Sequence, residues 1–119
     1  SEMCIRDRYG TEVVGPDGYI YVIQESMSGL CKIGGTRHID FRLSMIQTDN
    51  PHPINLIVSV QVSNWLKIER RLHKIFKSKR IRGEWFSLNE DDINWLKCLN
   101  TSGPDAAIIN DGQFAFQFR

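Results

Sequence analysis

The stretch Asn64-Trp65-Leu66-Lys67-Ile68-Glu69-Arg70-Arg71-Leu72-His73-Lys74-Ile75-Phe76-Lys77 is the most strongly periodic in the chain. Trp65, Ile68, Leu72, Ile75 and Phe76 recur at helical spacing, and Asn64 is a residue type that caps the free N–H groups of a first turn. The spacing predicts a helix from Asn64 to about Lys77, apolar on one face and basic on the other. Glu69 falls beside the apolar stripe, one turn before His73. A carboxylate there is costly to bury without a partner. It therefore calls for a cation such as Arg42 or Arg70, for His73, or for a metal ion.

Upstream, Ile54–Val62 alternates apolar and polar residues with a period of two, the pattern of a strand with one buried face. Before it, Ile39, Leu43 and Ile46 predict a helix of roughly ten residues, stopped by Asn50-Pro51-His52-Pro53. The turn cluster Gly15-Pro16-Asp17-Gly18 opens a β-rich run, Tyr19–Gln24, and Leu30–Gly34 reads as the return arm of a hairpin, ended by Gly34-Gly35. Downstream, Gly83 breaks the pattern and Glu84–Phe86 is a short extended piece. Ser87-Leu88-Asn89-Glu90 has capping-box spacing for a last helix, to about Leu99.

The expected fold is α/β (α+β), with a small three-stranded, mainly antiparallel sheet and about three helices around it. This domain is expected over residues 15–99, after a disordered or artefactual segment 1–14 and before a tail, 100–119, with no assigned role. Met3-Cys4-Ile5-Arg6-Asp7-Arg8 is what a common sequencing-adapter DNA encodes in frame, which sets Ser1–Arg8 aside from fold reasoning.

With 119 residues, 41% hydrophobic and 24% charged, the composition is that of one globular core rather than a disordered or fibrous chain. Apolar runs such as Leu56–Val58 and Ala106–Ile109 fall far short of the roughly 18 residues of a membrane span. Cys4, Cys31 and Cys98 have no CxxC spacing, so neither a disulfide framework nor a zinc site is expected and a cytoplasmic setting fits. The net charge of +1 conceals a local imbalance: residues 67–82 carry eight Lys or Arg against one Glu. Arg70, Lys74, Lys77, Lys79, Arg80 and Arg82, with Lys67 and Arg71, read either as a solvated face or, better, as a surface for nucleic-acid phosphates.

Tyr21 and Lys32 fall on the two arms of the hairpin, where they face one another or are ordinary strand residues. Arg42 lies at the edge of the first helix's apolar face, as a rim residue or a phosphate clamp.

Taken in order, Ile20-Tyr21, Lys32-Ile33-Gly34, Arg42-Leu43, Glu69-Arg70-Arg71-Leu72-His73 and Gly83-Glu84-Trp85-Phe86 resemble the GIY-YIG nucleases. The likeness is to their phage-associated branch, the phage T5 orf-like and meiotically up-regulated-like domains, and it covers about Gly18 to Leu96. It implies a divalent-metal-dependent endonuclease acting on DNA, with Glu69 binding Mg²⁺ or Mn²⁺. Tyr21 would orient or deprotonate the attacking water, Arg42 would neutralise charge on the phosphate, and Lys32 and His73 would complete the catalytic set. Two departures stand out. Lys32 occupies the place of the family's second tyrosine, and Glu84 stands near the place of its late asparagine, as a supporting or structural residue. They keep open the alternative, a non-catalytic DNA-binding module on the same fold.

Overall fold

A computed structural model describes residues 17–99. The expected N-terminal segment 1–14, the Gly15-Pro16 half of the first turn and the tail 100–119 lie outside these residues. The hairpin forms as anticipated. Strand β1 (Gly18–Glu25) pairs antiparallel with β2 (Cys31–Thr36), and Gly29 turns the chain at φ +75°. Helix α1 (Ile39–Thr48) follows, then strand β3 (Ile54–Val62) on the other side of β1. Helix α2 (Trp65–Ile75) is capped by Asn64, whose side chain accepts from the Lys67 N–H.

The sheet has five antiparallel strands, not three, in the order β3-β1-β2-β5-β4. The additional strands, β4 (Arg80–Arg82) and β5 (Trp85–Phe86), are too short for alternation to reveal them. β4 is exposed throughout, so no apolar face marks it. A single turn of 3-10 helix, Lys77–Lys79, joins α2 to β4, and α2 ends two residues before the expected Lys77.

Helix α3 (Glu90–Lys97) also starts later than its expected cap. The capping box is built by Asn89 and Asp92: the Asp92 N–H donates to Asn89, and the Asn89 N–H donates to Asp92. Ser87 cannot serve, because its N–H is already given to the Lys79 carbonyl in the β4–β5 pairing.

Alternation along β1 assigns its faces. Ile20 and Val22 point into the core with Ile33, Val58, Val60, Ile68, Leu72 and Phe86, beneath α2 and α3. Each such buried side chain contributes about 1.5–3 kcal/mol of apolar transfer energy. Truncating the fully buried Leu72 to alanine costs about 2–5 kcal/mol. Tyr21 and Ile23 point to the opposite face, where α1 lies against β1 through its half-buried stripe of Ile39, Leu43 and Ile46.

Gly34-Gly35 does not end β2, which runs on to Thr36. A methyl group on Gly34 would overlap the Tyr21 ring and hydroxyl, and one on Gly35 would overlap the Trp65 indole. The two glycines let an aromatic side chain lie flat on the strand from each side. Among the described residues no helix is long and apolar enough to cross a membrane.

Candidate active site

Tyr21 stands directly across the β1–β2 ladder from Gly34, and Lys32 across from Ile23, so Tyr21 and Lys32 share a face, two residues out of step. The Tyr21 hydroxyl is buried and completes no hydrogen bond. Burial, reinforced by the negative charge of Glu84, pushes its pKa up to about 12. The Arg42 guanidinium of α1 pulls the other way but does not close a hydrogen bond of good geometry with the phenol.

Glu69 comes to the same place from α2. Its carboxylate accepts from the Gly35 N–H and shares a hydrogen bond with Glu84. Burial first, then the charge and hydrogen bond of Glu84, raise its pKa to about 7 against the pull of Gly35 and Lys32. A half-buried carboxylate beside a negative charge ionises at a cost, so Glu69 retains its proton to a higher pH than an isolated glutamate.

Glu84 is the residue that sequence reasoning undervalued. It is carried by a two-residue turn between β4 and β5, with Gly83 at φ +55°, a conformation that favours glycine. Its carbonyl accepts from the Ile33 N–H, which fixes the turn against β2. Its carboxylate meets the Lys32 ammonium at 3.2 Å. Lys32 also lies 5.6 Å from the centre of the Trp85 ring. The one available signal was the Gly-Glu-Trp-Phe run itself, whose glycine marks a turn that must place the next side chain.

His73, expected in the catalytic set, is committed to the backbone. Its Nε2 lies 2.7 Å from the Ile33 carbonyl and must be the donor there, because a carbonyl only accepts. Its ring packs on Phe86 at 5.0 Å. It ties α2 to β2, the two elements that carry Glu69 and Lys32.

The basic residues divide into separate groups. Lys67, Arg70, Arg71 and Lys74 line a shallow depression of about 250 Å³ on the outer side of α2. Lys77, Arg80 and Arg82 are exposed at the sheet edge and the turn before it. Lys79, expected to contact DNA, instead forms an ion pair with the buried Asp92.

The arrangement thus gathers a phenol, an ammonium, a guanidinium and two carboxylates from β1, β2, α1, α2 and the β4–β5 turn. The two carboxylates fit a hard divalent cation, as half-buried oxygen donors, and a cation would replace the proton that Glu69 retains. Among the described residues no group of three or more His, Cys, Asp or Glu could hold an ion, so further ligands would come from water or substrate.

The family model of the T5orf172 domain matches residues 18–100. No curated protein and no solved structure matches the chain.

Proposed function

The chain belongs to the T5orf172 domain family, and from that premise we propose that it is a divalent-metal-dependent endonuclease of the GIY-YIG type, hydrolysing DNA phosphodiester bonds. The T5orf172 domain is a nuclease-like, DNA-binding family. The observation that carries the finer reading is the Glu69–Glu84 pair, set beside Tyr21, Lys32 and Arg42 on a domain with a basic outer face.

In this reading Glu69, supported by Glu84, holds Mg²⁺ or Mn²⁺. When bound, the ion supplies Lewis-acid polarisation of the scissile phosphate and stabilises the leaving oxygen. Arg42, exposed and adjacent to Tyr21, clamps the phosphate and offsets the charge that grows on it. Tyr21, whose pKa burial raises to about 12 before any cation is bound, orients the attacking water or, with that pKa lowered by a bound cation, takes its proton. Lys32 supplies a point charge to a phosphate oxygen in place of the phenol that the family pattern carries there. His73 is a positioning residue. Arg70, Lys74, Lys77, Arg80 and Arg82 contact the DNA on either side of the site.

The test is plasmid nicking with Mg²⁺ or Mn²⁺ against EDTA, with Glu69→Ala as the control for contaminating nucleases. Metal-dependent nicking that the variant abolishes supports the hydrolase. Inactivity of both proteins, with salt-sensitive DNA binding retained, replaces it with the non-catalytic binding module.

A further inference from the structure

A row of side chains leads from this site to a cavity that the proposed cleavage chemistry does not use. Ile23 faces Lys32, Lys32 faces Trp85, and Trp85 faces Arg82 across β1, β2, β5 and β4. Directly opposed residues project to the same face, so the row lies on the Tyr21 face of the sheet. Near β1 that face is covered by α1. Toward β5 and β4 it opens into a shallow, solvent-open cavity of about 510 Å³ lined by Trp85, Ile81, Leu30, Arg82, Asn50 and Glu25, among others.

The volume is that of a site for a small organic group. Its lining combines an aromatic ring and two aliphatic side chains with a guanidinium and an amide, which provide a stacking surface and hydrogen-bonding groups. Trp85 belongs to both places: Lys32, paired with Glu84, lies over its ring, yet Lys32 does not line the cavity. A phosphate held at Lys32 therefore leaves its own nucleoside within reach of Trp85.

We propose that this cavity receives an unpaired nucleobase next to the phosphate held at Lys32, stacked on Trp85, with Arg82 and Asn50 at its polar edge. In a continuous duplex the bases are stacked inward, and a base reaches a protein cavity only when unpaired or extruded. The preferred DNA is then one with a bulged, flapped or single-stranded nucleotide beside the phosphate at Lys32. This rests on the DNA binding and the Lys32 phosphate contact proposed above, not on cleavage.

The experiment uses Glu69→Gln protein in EDTA, so that cleavage plays no part, and compares two oligonucleotide duplexes. One carries 2-aminopurine in a single-base bulge; the other carries it paired. The bulged duplex binds more tightly and its 2-aminopurine emission falls on binding. Trp85→Leu, which keeps an apolar side chain but no ring, weakens the bulged complex by about 5- to 150-fold, the range of base–aromatic stacking, and weakens the paired complex far less. Trp85→Phe keeps the preference. Ile81→Glu, at an exposed position on the cavity rim, reduces it without touching the core. Equal affinity for the two duplexes, unchanged emission, or equal loss with both duplexes in the leucine variant overturns the proposal. Absence of nicking by the wild type would leave these binding results standing and would count against the nuclease alone.

Discussion

Glu69 in α2 lies beside Glu84 in the β4–β5 turn, and burial, then the charge and hydrogen bond of Glu84, raise the Glu69 pKa to about 7. Burial and the neighbouring charge hold back the ionisation of Glu69, with consequences that can be measured.

The first is a pH dependence of stability. An unfolded glutamate titrates near 4.5, whereas folded Glu69 titrates at about 7. Between those values the folded state binds more protons, so stability falls as pH rises through that window. Glu69→Gln should abolish this fall and add about 1–2 kcal/mol at pH 8, a figure reduced for the solvent that reaches the group. Urea midpoints in EDTA at about pH 5.5 and pH 8 decide it; an unchanged difference between the two pH values in the variant would sink the assignment.

Cation binding should oppose the same proton. Millimolar Mn²⁺ is expected to raise the melting temperature more at pH 8 than at pH 6, because the ion requires Glu69 deprotonated. Glu69→Gln and Glu84→Gln should each remove most of the rise. A rise of equal size in both variants would place the ion elsewhere.

Tyr21→Phe should separate activity from folding. The hydroxyl is buried without a completed hydrogen bond, so its removal should change stability by less than about 1 kcal/mol, while nicking falls by about 100-fold or more. Gly34→Ala should reduce both, since its methyl group drives into the Tyr21 ring, at about 1–3 kcal/mol of overpacking. Full nicking by Tyr21→Phe would remove the phenol from the chemistry.

The basic residues should behave in two ways. Arg70→Ala and Lys74→Ala should each lower the slope of log affinity against log salt by about 0.9, with little change in stability. Lys79→Ala should leave that slope almost unchanged and destabilise the fold by about 1–3 kcal/mol, because it leaves the buried Asp92 carboxylate its Asn89 N–H but no longer the Lys79 cation. A full unit of slope lost with Lys79 would mean that its ion pair with Asp92 opens on DNA.

His73→Ala should cost about 1–3 kcal/mol by leaving the Ile33 carbonyl without its donor. Residual nicking measured well below the melting temperature should retain the wild-type pH profile. A displaced profile would return the imidazole to proton transfer.

Local signals were read directly from the chain. α1 spans the ten residues from Ile39 that were expected, β3 has the expected bounds, and Asn64 caps α2, because periodicity and capping are properties of neighbouring residues. The family resemblance brought Tyr21, Lys32, Arg42 and Glu69 forward as a set. It could not say that Lys79 is taken by Asp92, that the His73 imidazole bonds to Ile33, or that Glu84 completes the site.

By itself, then, the sequence determined the hairpin, the helices, the basic segment and the candidate residues, all of which rest on local spacing and residue type. Only the tertiary structure decided the two short edge strands, the partners of each charge, and the Lys32–Trp85–Arg82 row with its cavity. The reason is physical. Pairing energies, burial and pKa shifts depend on distances between groups that the chain separates, and only cross-strand register and helix packing set those distances.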